Sequence, residues 1–296
     1  GHFTNQEAAK LLGLSKRNVQ RLKRKAKTEG SLAVLHGNRE RKPHNALSSE
    51  LISAILLYAE REYKGYNFSH MQEVLELEKQ IVVSLSTLRR LLTASGLKSP
   101  RKHRPAKAHR VRKRRAAKGE LVQMDASRCD WLSDGSCPHL HAAIDDATGE
   151  VLAAWFDLQE TRVAYVELML QMNQKYGLPK ALYTDGRTVF QYDPKTKKKL
   201  SLEQELLGLT ESVPQFTRAC TALNIPIHIT HVPQAKGRIE RLWNTLQDRL
   251  PKDLRRNGIK TLEEANAFLP TYFAHYNKSF AVKPREDKPA FAAKIF

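Results

Sequence analysis

Three carboxylates stand where a side chain can act rather than fill a core. Asp125 closes the alternating stretch "ELVQMD", Asp185 follows the apolar "ALYT", and Glu240 opens the helical stretch "GRIERLWNT". An Asp at the end of a strand is also an ordinary turn former, so either aspartate alone is unremarkable chemistry. Brought together, three carboxylates repel one another unless cations sit between them. Mg²⁺ suits such a site, because it prefers hard oxygen ligands and keeps positions open for phosphate oxygens. Lys236, Arg238 and Arg241 surround Glu240 in sequence. They read as contacts to phosphates beside the metals more readily than as salt-bridge partners of Glu240, with a solvated basic helix face as the plainer reading of Arg241.

The elements that must position these residues follow from periodicity. After Gly119 the pattern has period two and predicts a strand that ends near Asp125, then a hairpin over "HLHAAIDDATGEVLAAWFDLQE" turning at "DATGE". Residues 161–176 have helical spacing, "KALYT" reads as a strand, "VPQFTRACTALN" as a helix and "IPIHITH" as a strand. A last helix is expected from about Gly237 to Arg256. Three strands followed by alternating helices and strands imply a mixed sheet flanked by helices. The competing acids have simpler explanations: Asp145 and Asp146 lie in the hairpin turn, Asp130 and Asp134 in a polar loop, and Glu263 and Glu264 at a helix start favoured by the dipole. Cys129, Cys137 and Cys220 are odd in number and form no CxxC pair, which disfavours a disulfide framework and a zinc ribbon. A metal site at Cys129, Cys137, His139 and His141 is likewise disfavoured, because the two histidines alternate as strand residues do.

Charge divides the chain. Residues 1–120 hold 27 Lys and Arg against 10 Asp and Glu, whereas residues 121–296 hold 23 against 21. A polyanion-binding front end joined to a nearly neutral globular part is the simplest reading. "TNQEAAKLL" opens with Thr4 and Glu7 as a capping box and places Ala8, Ala9, Leu11 and Leu12 on one face; Gly13 breaks the helix and Ser15 caps the next. That second helix turns Val19 and Leu22 inward and Lys16, Arg17, Asn18, Gln20, Arg21 and Arg24 outward, a helix-turn-helix pattern whose outer side chains can read base edges. Three further helices over residues 49–97, with Arg89 and Arg90 on the last, suggest a second such unit beyond a polar linker at 38–48. Residues 98–118 carry 11 Lys or Arg and no acid, among them Arg101, Lys102, Arg104, Arg110, Arg112, Lys113, Arg114 and Arg115. Such a run is expected to be extended and to lie on phosphates. No apolar stretch approaches the length of a membrane span, and no signal peptide opens the chain, so a cytoplasmic, nucleoid-associated protein with no membrane partner is expected. Gly1-His2 reads as an added scar ahead of a truncated start.

"QMDAS", "YTDGRTVF" and "PQAKGRIERLWNTLQDRL", together with "HYNKSFAVKP", resemble the motifs of the DDE transposases of bacterial insertion sequences. The resemblance covers nearly the whole chain. It implies an α/β ribonuclease H-like, integrase-type core over residues 119–277, behind N-terminal helix-turn-helix domains at 1–37 and 49–97. It implies Asp125, Asp185 and Glu240 as ligands of two Mg²⁺ ions, with Mn²⁺ able to substitute. It implies double-stranded DNA, both element ends and target, as substrate, 3′-end cleavage and strand transfer as the reaction, and a homodimer or larger assembly on DNA. Two features depart from the family pattern. Arg187 stands near where the family commonly has Asn, and 55 residues separate Asp185 from Glu240, which an insertion at about 191–209 would explain. Residues 278–296 read as a C-terminal extension. A ribonuclease H-like nuclease or resolvase without strand transfer, and a non-catalytic helix-turn-helix regulator, are the alternatives.

Overall fold

The computed structural model describes residues 3–34, 46–100, 112–192, 213–230 and 236–294, with Leu202 and Leu206. Arg101, Lys102, Arg104 and Arg110, most of the linker at 38–48 and most of the expected insertion at 191–209 lie outside the described residues. The chain divides into two compact units, Gly1–Lys98 and Ser99–Phe296.

In the first unit the capping signals act where they were read. Helix α1 (Asn5–Leu12) starts from the Thr4–Glu7 capping box and ends at Gly13, whose φ of 61° is the left-handed conformation a glycine adopts without strain. Helix α2 (Lys16–Glu29) starts from Ser15, whose hydroxyl accepts from the Asn18 backbone N–H. The apolar face expected on α1 is not the one it buries: Ala9 and Val19 are buried, while Leu11 and Leu12 are 68% and 63% exposed. The small Ala9 lets α1 approach α2 closely, and that contact leaves the two leucines outside it. Helices α3 (Ser49–Glu60), α4 (Phe68–Lys79) and α5 (Leu85–Ala94) close around Ile55, Tyr63, Leu75, Leu88 and Leu92. Ser84 is the cap that starts α5.

The second unit is built on a five-stranded mixed sheet: β1 (Val122–Arg128), β2 (His139–Asp145), β3 (Val151–Asp157), β4 (Leu182–Thr184) and β5 (Ile227–Ile229). The order is β3-β2-β1-β4-β5, with β1, β2 and β3 antiparallel and β1, β4 and β5 parallel. Helices α6 (Arg162–Lys175), α7 (Gln215–Ala222), α8 (Gly237–Arg256) and α9 (Leu262–Phe280) accompany it. Alternation along β1 and β2 feeds two cores. Leu140, Ala142 and Ile144 pack with Trp243 and Leu246 of α8, while Val122, Met124 and Ala143 pack with Tyr165 and Leu168 of α6 and Phe216 of α7.

The free edge of β3 is covered by side chains. Asn277 donates to Val151 O and accepts from Val151 N, and Asn266 does the same for Phe156, both pairs at 2.7–3.1 Å. The two asparagines are eleven residues apart on α9 and their targets five apart on β3, and both spacings are about 16 Å. The helix thus satisfies the edge groups that would otherwise invite another strand.

Three expectations change. Strand β1 does not end at Asp125 but runs three residues further, because its pairing with β2 continues to Arg128↔His139. Residues 112–118 of the expected basic linker and residues 281–292 of the expected C-terminal extension are bonded to each other and to the sheet-containing unit. Glu286 N donates to Ala116 O, Ala290 N to Lys118 O and Ala292 N to Leu178 O, which ties both segments to the core. Gly177 permits this at φ 103°, since a Cβ there would sit 2.1 Å from Ala292 O.

Candidate active site

Strands β1 and β4 pair only at Val122↔Leu182 and Gln123↔Tyr183. Beyond that point β4 stops and the chain turns at Asp185, so among the described residues the far half of β1 has no strand beside it on that side. The opening lies at the C-terminal end of a parallel pair, where ligand sites of open α/β sheets form. Asp125 stands on β1 at its rim and Asp185 at the end of β4.

Both aspartates meet one cation. Lys236, just before α8, donates its ammonium to Asp125 Oδ1 at 2.9 Å and lies 3.8 Å from Asp185 Oδ2. The second oxygen of Asp125 accepts from the Trp243 indole N–H at 2.9 Å. Asp185 Oδ1 accepts from the Arg187 backbone N–H at 3.3 Å, and the Arg187 guanidinium lies 3.4 Å from Asp185 Oδ2 and 2.8 Å from Glu160 Oε2. Arg187, at the departure from the family motif, is therefore a bridge between two carboxylates. Burial raises the pKa of the Glu160 carboxyl above its ordinary value, and the charges of Asp185 and Asp125 push the same way against Tyr165 and Arg187. Burial works to lower the pKa of Arg187, yet Glu160 and Asp185 hold it above its ordinary value.

Glu240 does not join this contact. Its side chain is exposed in the first turn of α8, and among the described residues no three His, Cys, Asp or Glu side chains are gathered as a metal site would gather them. It nevertheless lies between Lys236 and Trp243, at the i, i+4, i+7 spacing of a single helix face, and both of those residues touch Asp125.

The basic residues divide into two groups. Arg238 is only 8% exposed and donates from Nε to Asp146 Oδ1 at 2.7 Å. Arg112 also binds Asp146 Oδ1, and the Arg115 backbone N–H reaches Oδ2. These bonds turn Arg238 and Arg112 toward the protein rather than toward a phosphate, and Lys236, 8% exposed, is held by the site aspartates. Arg241, Lys113, Arg114 and Arg115 remain at the surface, although Arg115 pairs with Glu120 and Arg114 donates to Ala147 O. Burial, then the positive charges of Arg238 and Arg241, lower the pKa of Arg114, so three guanidiniums crowd one place. In the first unit Lys16, Arg17, Gln20, Arg21 and Arg24 line a single open groove on α2, whereas Asn18 is half-buried beside it. Arg89 and Arg90 are exposed on α5.

The sequence reading missed Asp146, Glu160 and Trp243. Asp146 does lie in the hairpin turn, yet it is fully buried and also accepts from Gln123 Nε2 at 2.9 Å. A polar Gln in the apolar alternation of β1 was the available signal. Asp145 is the true turn former: burial raises its pKa, and its oxygens accept from Gly119 N and from Thr148 N and Oγ1, each at 2.8 Å. Cys129 and Cys137 are free thiols, each partly exposed.

No protein-family model matches the chain. It is 37% identical, over 96% of its length, to the transposase for insertion sequence IS1202 of Streptococcus pneumoniae, and 35% identical over 96% to y4bF of Sinorhizobium fredii, also named as a transposase. The chain spans 66% and 60% of those relatives' own lengths. Likeness to solved structures is weaker. A simian T-cell lymphotropic virus intasome aligns at TM-score 0.42 and 18% identity over 81% of this chain and 78% of that one, and an HTLV-2 integrase catalytic core in complex with magnesium at 0.35 and 20% over 51% and 82%. Matched along almost its whole length by named transposases, the chain belongs to the insertion-sequence transposase family.

Proposed function

We propose that the protein is a DNA transposase that cuts the ends of its element and joins them to target DNA, with Asp125, Asp185 and Glu240 as its catalytic carboxylates. The observation that carries this reading is the convergence of Asp125 and Asp185 on one cation at the open end of the parallel strands. Their donor set is all oxygen and attracts positive charge, which fits Mg²⁺ or Mn²⁺. Asp125 and Asp185 would hold the metal, and Glu240 would complete the set by turning its exposed side chain along the face of α8 that already meets Asp125. Two divalent ions bound there would stabilise the attacking and leaving oxygens of an in-line phosphoryl transfer.

The remaining residues serve that chemistry. Lys236, displaced from Asp125, is within reach of a phosphate at the same place. Arg187 and Glu160 hold the Asp185 carboxylate in orientation. Arg241 and Arg114, exposed and crowded, favour a polyanion nearby. In the first unit α2 would read element ends through Lys16, Arg17, Gln20, Arg21 and Arg24, with Asn18 beside them, while Arg89 and Arg90 would hold backbone. Cutting two ends in concert calls for two or more copies on the DNA.

The test is an assay on DNA that carries both flanks of the gene encoding this chain. Mg²⁺-dependent 3′-end nicking and joining are expected. Asp185→Asn is expected to lower both by about a thousandfold, the several kcal/mol that a metal ligand supplies to the transition state. Joining that survives Asp185→Asn, or hydrolysis without joining of a pre-nicked end, contradicts the reading.

A further inference from the structure

We infer that Trp243 is a positioning residue that aims Asp125 and fixes the register of the helix carrying Glu240; the inference rests on the metal-site reading above. Three alternate residues of β1 face α8, and each is bonded to it. Ile239 N donates to Gln123 Oε1 at 3.3 Å, Trp243 Nε1 to Asp125 Oδ2 at 2.9 Å, and Gln247 Nε2 to Ser127 Oγ at 2.9 Å. Two residues of strand advance about 6.7 Å and four of helix about 6 Å, so the two periods stay in step across three contacts. Sliding α8 by one residue breaks all three. Apolar packing at Leu242 and Leu246 alone imposes no such register, because it is not directional.

The middle contact differs from its neighbours because it ends on a carboxylate. Indole N–H is a donor only, and Trp243 is 8% exposed, so its ring is held by packing. With Oδ2 engaged by the indole, Oδ1 is the oxygen turned toward Lys236 and Asp185. Because Glu240 lies three residues before Trp243, the bond that orients Asp125 also sets where Glu240 stands along β1. Loss of an outer contact of this kind typically costs about 10–100-fold in metal affinity.

The chain contains three tryptophans, Trp131, Trp155 and Trp243, which makes the inference readable by ¹⁹F NMR of 5-fluorotryptophan-labelled protein. With MgCl₂ as the probe, the Trp243 resonance is expected to move with the saturation curve measured by calorimetry, while that of fully buried Trp131 stays in place. Trp243→Phe keeps a buried ring but removes the donor, and is expected to weaken Mg²⁺ affinity about tenfold or more. Gln247→Ala breaks the neighbouring contact without touching a carboxylate and is expected to leave affinity within about twofold. A Trp243 resonance that stays still while Mg²⁺ binds overturns the inference, as does equal weakening by both substitutions, which would make Trp243 a packing residue only. Absence of any calorimetric Mg²⁺ binding overturns the metal-site reading itself and the inference with it.

Discussion

Two aspartate pairs stand in the sheet-containing unit, and they are built in opposite ways. Asp145 and Asp146 are fully buried, and bonds from backbone, Thr148, Gln123, Arg112 and Arg238 engage their oxygens. Asp125 and Asp185 keep side-chain exposures of 18% and 26% and share one partner, the Lys236 ammonium, besides the Trp243 indole on the first and Arg187 on the second. A fixed guanidinium fork suits a permanent anchor, whereas a flexible ammonium is a partner that another cation can replace. The first pair ties residues 112–115 and α8 to the β2–β3 turn, and the second is left open to chemistry.

The largest expected effect comes from breaking the sealed pair. Asp146→Ala leaves Arg238 and Arg112 without their shared counter-charge and is expected to cost about 3–5 kcal/mol in urea unfolding. Asp185→Asn, on the open pair, is expected to change stability by about 1 kcal/mol or less in the same experiment. Comparable losses for the two would erase the distinction between anchor and site.

Next is a pH effect from the same sealed interior. His141 is fully buried, and burial pushes its pKa down to about 4. Its Nδ1 faces Trp155 O at 3.3 Å, and a carbonyl can only accept, so Nδ1 carries the proton while Nε2 has no hydrogen-bond partner among the described residues. The unfolded chain binds a proton near pH 6.5 that the folded chain refuses until about 4. Stability is therefore expected to be full above pH 6.5 and to fall by on the order of 3 kcal/mol as pH drops through that window. His141→Asn, which keeps a donor toward Trp155, should flatten this dependence in melts taken between pH 7 and 4.

The smallest effect belongs to the first unit, whose basic groove on α2 has neither pair's geometry. Replacing Arg17 and Arg21 together by alanine is expected to weaken duplex binding about tenfold at physiological salt and to reduce the salt slope by about 2. Unchanged affinity in a fluorescence-anisotropy titration would remove α2 from the DNA interface.

What could be read in the sequence followed a physical divide. Capping boxes, strand periodicity and the start of α8 at Gly237 are local, and they fell where expected. Asp125 and Asp185, each an ordinary turn former when taken alone, were legible as a candidate pair only because both stand at apolar strands within motifs of one family. The partners of Lys236 and Arg238 were not, since both bonds span more than 90 residues and depend on how α8 crosses β1. Asp146 lies in the turn where the sequence puts it, but its partners Arg112 and Arg238 are also distant in sequence and just as illegible. The folded ends at 112–118 and 281–292 pair through backbone groups, which leave no side-chain signature. Leu11 and Leu12 show that an apolar stripe identifies a helix without specifying which part of it will be covered.

The central claim, that the open pair holds a divalent ion and the sealed pair does not, can be tested without any DNA. Fe²⁺ bound in place of Mg²⁺, with ascorbate and peroxide, cleaves the backbone next to the residues that hold it. Cuts are expected near Asp125, Asp185 and Glu240, suppressed by excess Mg²⁺ and lost in Asp185→Asn. Cleavage that instead centres on Asp145 and Asp146, or that persists unchanged in Asp185→Asn, would contradict the account.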